Sequence, residues 1–435
     1  MLGIYFKQAW NLIRQERLFS LIYIVGTGLS VSMVMVLSIV FYMKIANIYP
    51  ETNRDRMLVA KSGVVTKDDG STYSSSLSEQ VIDKCFGSLQ GMESIALICD
   101  NDDEFMVQPE NSPEQIPVTV KFVSTGFWQV FSFRFIEGKA FTEADQQSGL
   151  HSVVIAKSLA RRLFGGETGA AVGRYVSLNF QLYRVCGVVK DASFVTNKSY
   201  AQLYIPYTAV EGYKSGSAWD DSGSLGDFNA YILASDGTDL KDLKAEAEAN
   251  IERYSRSLSG MEFKMLGQPD RYWQSVFRVG SSMAPDFSKY LLTYGLVLFI
   301  LLLVPCVSLS GMTDSRMERR LTEMGVRRAF GAPVTTLIEQ IVSENFLFTI
   351  LGGLFGLAFS YLLLYLTRNW IMQLGDQFAA SLPEGVDMVF TPAMLMNYQV
   401  FGIALFVCFL LNLFSALIPA WRSAHRQIIY SLNAK

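Results

Sequence analysis

Charged and apolar positions divide this chain into blocks. Residues 18–43, 290–312, 345–367 and 400–420 contain no Asp, Glu, Lys or Arg. As a helix, each is long enough to cross the apolar core of a bilayer, which takes about 20 residues at roughly 1.5 Å apiece. With their flanks they predict an α-helical bundle of four spans: 18–43, 290–312, 334–367 (the third helix with a cytoplasmic extension) and 398–420. Ahead of them, residues 1–17 read as a helix lying in the membrane interface. Leu2, Phe6, Ala9 and Ile13 share one face, with Lys7, Asn11, Arg14 and Gln15 opposite. The first charge-free stretch is 26 residues long, which exceeds a signal-peptide core. No small-x-small site followed by a polar mature start is evident, so it is expected to stay as an anchor.

Between the first and second spans lie residues 44–289, 246 positions with 25 Lys/Arg and 31 Asp/Glu, a net charge of −6. Short β-type runs recur here at 116–123, 152–156, 175–180, 183–189, 203–206 and 228–234. Helical periodicity marks 77–89, 157–164 and 239–258, the last with Asp236 and Thr238 as candidate caps. These elements predict one large α+β domain inserted between spans 1 and 2. Residues 215–226 hold four Ser and three Gly, which reads as an exposed loop and a candidate boundary between two lobes.

Charge distribution then sets the orientation. Lys7, Arg14, Arg17, the arginines 316, 319, 320, 327 and 328, and Arg422, Arg426 and Lys435 all fall on one side of the predicted spans. By the positive-inside rule that side is the cytoplasm. Both termini (1–17 and 421–435) and the segment 313–333 are therefore expected inside, and the domain 44–289 and the loop 368–397 outside. Half the residues are hydrophobic and the mean hydropathy is positive, as expected for a mixed membrane and water-facing chain. Of five cysteines, Cys85, Cys99 and Cys186 fall in the exported domain. An oxidising compartment permits a Cys85–Cys99 disulfide, and three unpaired thiols are equally compatible with the spacing.

The spans carry small residues at four-residue spacing: Gly26, Gly28, Ser30 and Ser32 in the first, Gly352, Gly353, Gly356 and Ser360 in the third. Such spacing lets helix backbones approach closely, so Gly26, Gly28, Gly352 and Gly356 are the candidates for packing within or between subunits. Pro305 is expected to bend the second span, and Pro419 to end or bend the fourth. The spans themselves lack ionisable residues of the kind that mark ion pathways. Two histidines, His151 and His425, and no paired Cys spacing argue against a metal site. No G-x-S-x-G elbow or phosphate loop occurs, so no catalytic residue or cofactor is expected on this chain, and ATP and Mg²⁺ would sit on another polypeptide. The acidic run Asp100, Asp102, Asp103, Glu104 reads as a solvated turn.

Alternating charges in 315–332, with Glu323 and Arg327 spaced for an i,i+4 pair, suit a short helix at the inner membrane surface. Gly331 would close that helix, and Pro333 would sit in the first turn of the next. The run Glu323-Met-Gly-Val-Arg-Arg-Ala-Phe-Gly-Ala, with Gln340 and Glu344 following, resembles the signature of ABC-transporter permeases of the FtsX and MacB type. Ile418-Pro-Ala-Trp-Arg-Ser-Ala is similar to the end of that family's last span. In the exported domain, Val123-Ser-Thr-Gly-Phe-Trp-Gln-Val-Phe, Glu137-Gly-Lys, Ala160-Arg-Arg-Leu-Phe-Gly, Val172-Gly-Arg, Val185-Cys-Gly-Val-Val-Lys-Asp and Tyr204-Ile-Pro resemble the MacB-like periplasmic core, in the family's order. Residues 51–115 show no alignable motif.

The resemblance implies a multi-pass inner-membrane permease, not itself an enzyme, that dimerises with a second copy or a paralogue and binds a cytoplasmic ABC ATPase dimer. Glu323, Gly325, Arg327, Arg328, Gly331 and Ala332 would form the segment that rides on that ATPase. In MacB an ATPase precedes the first span, whereas about 17 residues do so here, so a stand-alone ATPase is expected. A periplasmic adaptor, an outer-membrane channel and membrane lipid complete the expected partners, with no nucleic acid. The leading function is MacB-like efflux of toxic small molecules, peptides or lipid-linked cargo. The alternatives are FtsX-like mechanotransmission to a periplasmic enzyme, lipoprotein release, and an ATP-independent receptor, against which the arginine-rich loop argues.

Overall fold

The computed structural model describes residues 17–99, 105–109, 113–165, 171–210, 221–278, 286–300 and 333–371, with isolated positions elsewhere. Residues 1–13 of the interfacial helix expected at 1–17, the acidic run at 100–104, Pro305, Pro419 and the tail lie outside the described residues. The chain divides into two compact units. One contains the described residues up to Tyr42 and from Ser288 to Ile371, and the other is Met43–Phe287.

In the first unit, helix α1 spans Arg17–Ile45. Its 29 residues would extend about 43 Å, longer than the roughly 30 Å of a bilayer's hydrocarbon core. Val31, Val34, Met35 and Ile39 are buried, yet Leu21, Ile22, Leu29, Met33 and Phe41 stand exposed on the remaining surface. A water-facing helix carries polar groups there, so apolar residues all round call for lipid. Among the described residues, Ser20–Ile45 and Val342–Arg368 are long and apolar enough to cross a membrane. Of the predicted second span only a shorter apolar helix, Phe287–Ile300, is described, and the predicted fourth is described only in fragments between 399 and 414. One expectation is corrected here. The apolar window begins at Val342 rather than 345 and so takes in Glu344, whose carboxylate is buried. The spans are therefore not free of buried ionisable groups.

The second unit is built on a mixed sheet that links 16 strands among the described residues. Phe228–Ala234 lies between Met57–Ala60 and Met92–Cys99, antiparallel to both. Gln181–Val189 runs parallel to Ser152–Ala156, and Leu203–Pro206 parallel to Val120–Val123. Successive side chains of a strand point to opposite faces, so the sheet has two cores. Leu58, Ala60, Ala230 and Ile232 face the larger, with helices Glu79–Phe86 and Leu240–Ser257 packed on it. Met57, Val59, Tyr231 and Leu233 face the other, which is lined by Phe127, Phe131, Tyr204 and Tyr272.

The strands at 152–156, 203–206 and 228–234 and the helix Lys157–Phe164 coincide with the sequence reading. Four readings need correction. The run 116–123 breaks at Thr119 into two strands with different partners, because the Thr119 carbonyl is taken by the Gln202 and Leu203 N–H groups. The run 175–180 ends at Leu178, where Asn179 and Phe180 turn at φ 47° and 70° into the next strand. Asp239, not Asp236 or Thr238, caps the long helix, its carboxylate accepting the Lys241 N–H at 2.9 Å. At 215–226, Ser224, Leu225 and Gly226 are buried, the last two as a strand against Thr72–Leu77, and no boundary between units falls there.

Candidate functional site

Little of the arginine-bearing segment is described. Val326 is helical and accepts the Phe330 N–H at 3.1 Å. Gly331 takes φ +88°, a left-handed value that costs a residue with a Cβ about 1 kcal/mol or more and so closes a helix well as glycine. The Pro333 carbonyl accepts the Thr336 N–H at 3.2 Å in the first turn of the helix Val334–Ile371. Phe330 is 88% exposed. Glu323, Gly325, Arg327, Arg328 and Ala332 lie outside the described residues.

The small-residue faces of α1 and Val334–Ile371 meet. A Cβ on Gly356 would lie 2.5 Å from the Gly28 carbonyl oxygen and 2.9 Å from Val31 Cβ. On Gly28 it would lie 2.9 Å from the Gly352 carbonyl oxygen, and on Gly352 2.8 Å from Thr27 Cβ. Three of the four nominated glycines are thus at one crossing within this chain. Gly26 is half-buried nearby, its carbonyl accepting the Ser30 hydroxyl at 2.9 Å. The buried Tyr23 hydroxyl donates to Asn345 Oδ1 at 2.8 Å across the same pair of helices, a contact that small-residue spacing does not reveal.

At the end of α1 the second unit opens with a buried polar cluster. Arg54 Nε donates to Glu51 Oε2 at 2.9 Å, and Arg54 Nη1 to the carbonyls of Met43 and Ala46 at 2.9 and 2.7 Å. Glu51 also accepts the Tyr272 hydroxyl at 2.6 Å and the Ser199 N–H and hydroxyl at 3.0 and 2.8 Å. Burial by itself raises the Glu51 carboxyl, but the Arg54 guanidinium and the hydroxyl donors outweigh it and hold the group below its ordinary range. A depressed carboxyl stabilises the fold above its unfolded pKa, and that contribution is lost as pH falls through the folded value. The cluster should therefore stay intact from pH 8 to 5 and fail only below about pH 4. Near-ultraviolet circular dichroism of the full chain checks this, since a transition near pH 6 would contradict it. Sequence reasoning missed all four residues.

The motifs of the second unit hold its sheet together. A Cβ on Gly126 would lie 1.9 Å from the Ile95 carbonyl oxygen, because Ser124 is locked to Leu97 by two hydrogen bonds of 3.0 Å. The neighbouring Phe127 and Trp128 pack with Phe133 and Tyr204. Gly138 at φ +67° faces the Cys186 carbonyl, and Asp191 accepts the Ser158 N–H and hydroxyl at 2.9 and 2.6 Å at the start of a helix. Cys85, Cys99 and Cys186 form no disulfide with one another. Burial pushes Cys85 and Cys186 up to about 12, the opposite of a reactive thiol. Among the described residues no group of His, Cys, Asp and Glu is placed to hold a metal.

Two family models match the chain: the MacB-like periplasmic core domain over residues 20–250 and the FtsX-like permease C-terminal region over 295–428. The ABC transporter permease YknZ of Bacillus subtilis is 22% identical over 274 residues, 63% of this chain and 64% of that protein. The pyoverdine export ATP-binding/permease protein PvdT of Pseudomonas savastanoi is 25% identical over 278 residues, 62% of this chain and 40% of that protein. The chain thus spans less than two thirds of the length of either. The crystal structure of the periplasmic region of MacB from Actinobacillus actinomycetemcomitans aligns with a TM-score of 0.34 at 15% identity, covering 51% of this chain and 94% of that one.

Proposed function

We propose a function from one established premise: the chain belongs to the ABC-transporter permeases of the MacB/FtsX type, membrane proteins with a MacB-like periplasmic domain. In this reading four spans, at 18–43, 290–312, 334–367 and 398–420, leave both termini in the cytoplasm. The segment 313–333 grips a cytoplasmic ABC ATPase dimer through Glu323, Arg327 and Arg328, with Gly325, Gly331 and Ala332 shaping the turn. Two permease copies, or this chain and a paralogue, complete the assembly. The partner supplies the energy of ATP hydrolysis and holds the nucleotide and Mg²⁺, since these 435 residues carry no phosphate loop.

The observation that carries the proposal is the glycine crossing. The grip segment runs straight into Val334–Ile371, that helix lies backbone to backbone on α1, and α1 continues covalently into the exported unit at Met43. A displacement entering at the segment is thereby handed to the periplasmic domain without a transport path through the spans. Export of small toxic molecules, peptides or lipid-linked cargo, with an adaptor and outer-membrane channel as further partners, uses that stroke directly. The FtsX-like alternative, activation of a periplasmic enzyme, and lipoprotein release use the same stroke on other clients.

Glu323→Lys and Arg328→Glu reverse the charges of the grip. Each should leave membrane insertion unchanged and abolish co-purification of the ATPase, read by mass spectrometry of what accompanies the chain from membranes. Retention of the ATPase by both variants would refute the role. The companions of the wild-type chain also separate the readings: an adaptor and channel support efflux, a cell-wall hydrolase supports mechanotransmission.

A further inference from the structure

Two chain attachments belong to the second unit: the end of α1, Met43–Ile45, and residues 270–278, which precede Phe287–Ile300 in sequence. We propose that Arg54, Glu51 and Tyr272 form a clamp that fastens these two attachments to each other and to the domain, so that both move with it as one piece. The purpose of the clamp rests on the transmission reading above, whereas its existence is independent of any ATPase.

The geometry uses each group for a task that few side chains can do. The last four carbonyls of a helix have no partner within it, and they carry the negative end of its dipole. Arg54 Nη1 takes the Met43 carbonyl, inside the final turn of α1, and the Ala46 carbonyl just beyond it. The third fork position, Nε, meets Glu51. A lysine ammonium is a point charge without that fork, so it cannot reproduce the set. Glu51 then reaches the other attachment through the Tyr272 hydroxyl, and the Arg54 guanidinium lies 4.8 Å over the Tyr272 ring. Tyr272 is fixed in turn. It follows the strand Asp270–Arg271, which pairs with Leu58 and Val59. Asp270 forms a buried ion pair with Arg278, at 2.6 Å from Nε, and Arg278 Nη2 also donates to the Leu266 carbonyl at 3.1 Å.

Burying four charges in so small a volume is a poor way to gain stability, because apolar residues of the same size commonly do better. What hydrogen-bonded charges add is a defined arrangement: guanidinium and carboxylate fix direction as well as distance. Here the directions converge on the end of α1 and on residues 270–278. Ser199, from a third part of the chain, closes the remaining carboxylate oxygen and ties the clamp to the body of the sheet.

Hydrogen exchange of the full chain in lipid nanodiscs, read by mass spectrometry, tests the clamp. In the wild type, amides 43–47 and 270–278 should exchange on the timescale of the domain's slow strands, such as 152–156. Arg54→Lys should accelerate 43–47 at least tenfold. Tyr272→Phe, which removes one hydroxyl and keeps the ring, should accelerate 270–278 tenfold while leaving 43–47 slow, and in both variants 152–156 should be unchanged. The proposal is overturned if both variants exchange like the wild type at these segments, or if exchange rises equally across the whole domain. Should Arg54→Lys not fold, Tyr272→Phe decides by the same criteria. Because no ATPase is present, a failure here leaves the co-purification result standing, and a failure there leaves this one.

Discussion

Gly356→Leu should separate α1 from the helix Val334–Ile371 and uncouple the permease while leaving it inserted. A methyl at this position already meets the Gly28 carbonyl oxygen at 2.5 Å, a backbone atom that cannot swing aside, and leucine adds three more carbons. Overpacking of this kind costs about 3 kcal/mol, which corresponds to roughly a hundredfold shift in the population of the close-packed crossing. The reporter is a disulfide between Thr27→Cys and Gly352→Cys. The Cβ of residue 352 would lie 2.8 Å from Thr27 Cβ, and a relaxation of about 1 Å reaches the usual 3.8 Å of a disulfide. Oxidation should cross-link this pair rapidly with Gly356 in place and at least tenfold more slowly with leucine there. Equal rates would mean that the crossing is not held by close backbone contact.

The second large effect belongs to the second unit. Gly126→Ala adds one methyl whose carbon would sit 1.9 Å from the Ile95 carbonyl oxygen, with Ile95 C at 2.9 Å. Ile95 is in the long strand Met92–Cys99 at the centre of the sheet, so neither partner has room to retreat. The short helix Phe127–Val130 must lift off, taking Phe127 and Phe131 out of the second core. A loss of about 3 kcal/mol or more follows from overpacking and displaced aromatics together. In a unit of this size that lowers the melting temperature by roughly 6–12 °C. Thermal unfolding of the full chain followed by aromatic circular dichroism measures it, and a shift under 2 °C would show that the loop absorbs the methyl.

Both effects start from glycines, and they illustrate what the sequence makes legible. The strand Phe228–Ala234, of sequence FNAYILA, has the β-branched and aromatic content that a sheet favours, and its limits can be read directly. The strand Thr72–Leu77 has three consecutive serines, and nothing in its composition announces a strand. It forms because Gly63–Lys67 and Leu225–Gly226 supply hydrogen-bonding edges, which is tertiary information. Met57–Ala60 is buried at every position and shows no alternation, since both faces of the sheet are covered. The cap at Asp239 was misplaced by one to three residues because Asp and Thr recur there, and only backbone geometry selects among them.

The site was legible to the same degree. Four-residue spacing marked Gly28, Gly352 and Gly356 as packing surfaces, but it carries no record of which helix they meet. Glu344 escaped because its charge lies just outside the charge-free run, and helix packing rather than composition buries it. The cluster of Glu51, Arg54, Ser199 and Tyr272 was invisible, with Glu51 and Tyr272 separated by 221 positions. A lone Glu-x-x-Arg is common on any surface, and only the fold brings the tyrosine to it.

The account depends on the segment before Val334–Ile371 facing the cytoplasm while the domain after α1 faces outward. Two single-cysteine chains, Val326→Cys and Leu150→Cys, with the five native cysteines replaced by alanine, report on this directly. Both positions are exposed. A membrane-impermeant maleimide added to intact cells should label residue 150 within minutes and residue 326 only after the inner membrane is permeabilised. Labelling of residue 326 from outside, at the rate of residue 150, would contradict the orientation and with it the proposed entry of movement from a cytoplasmic ATPase.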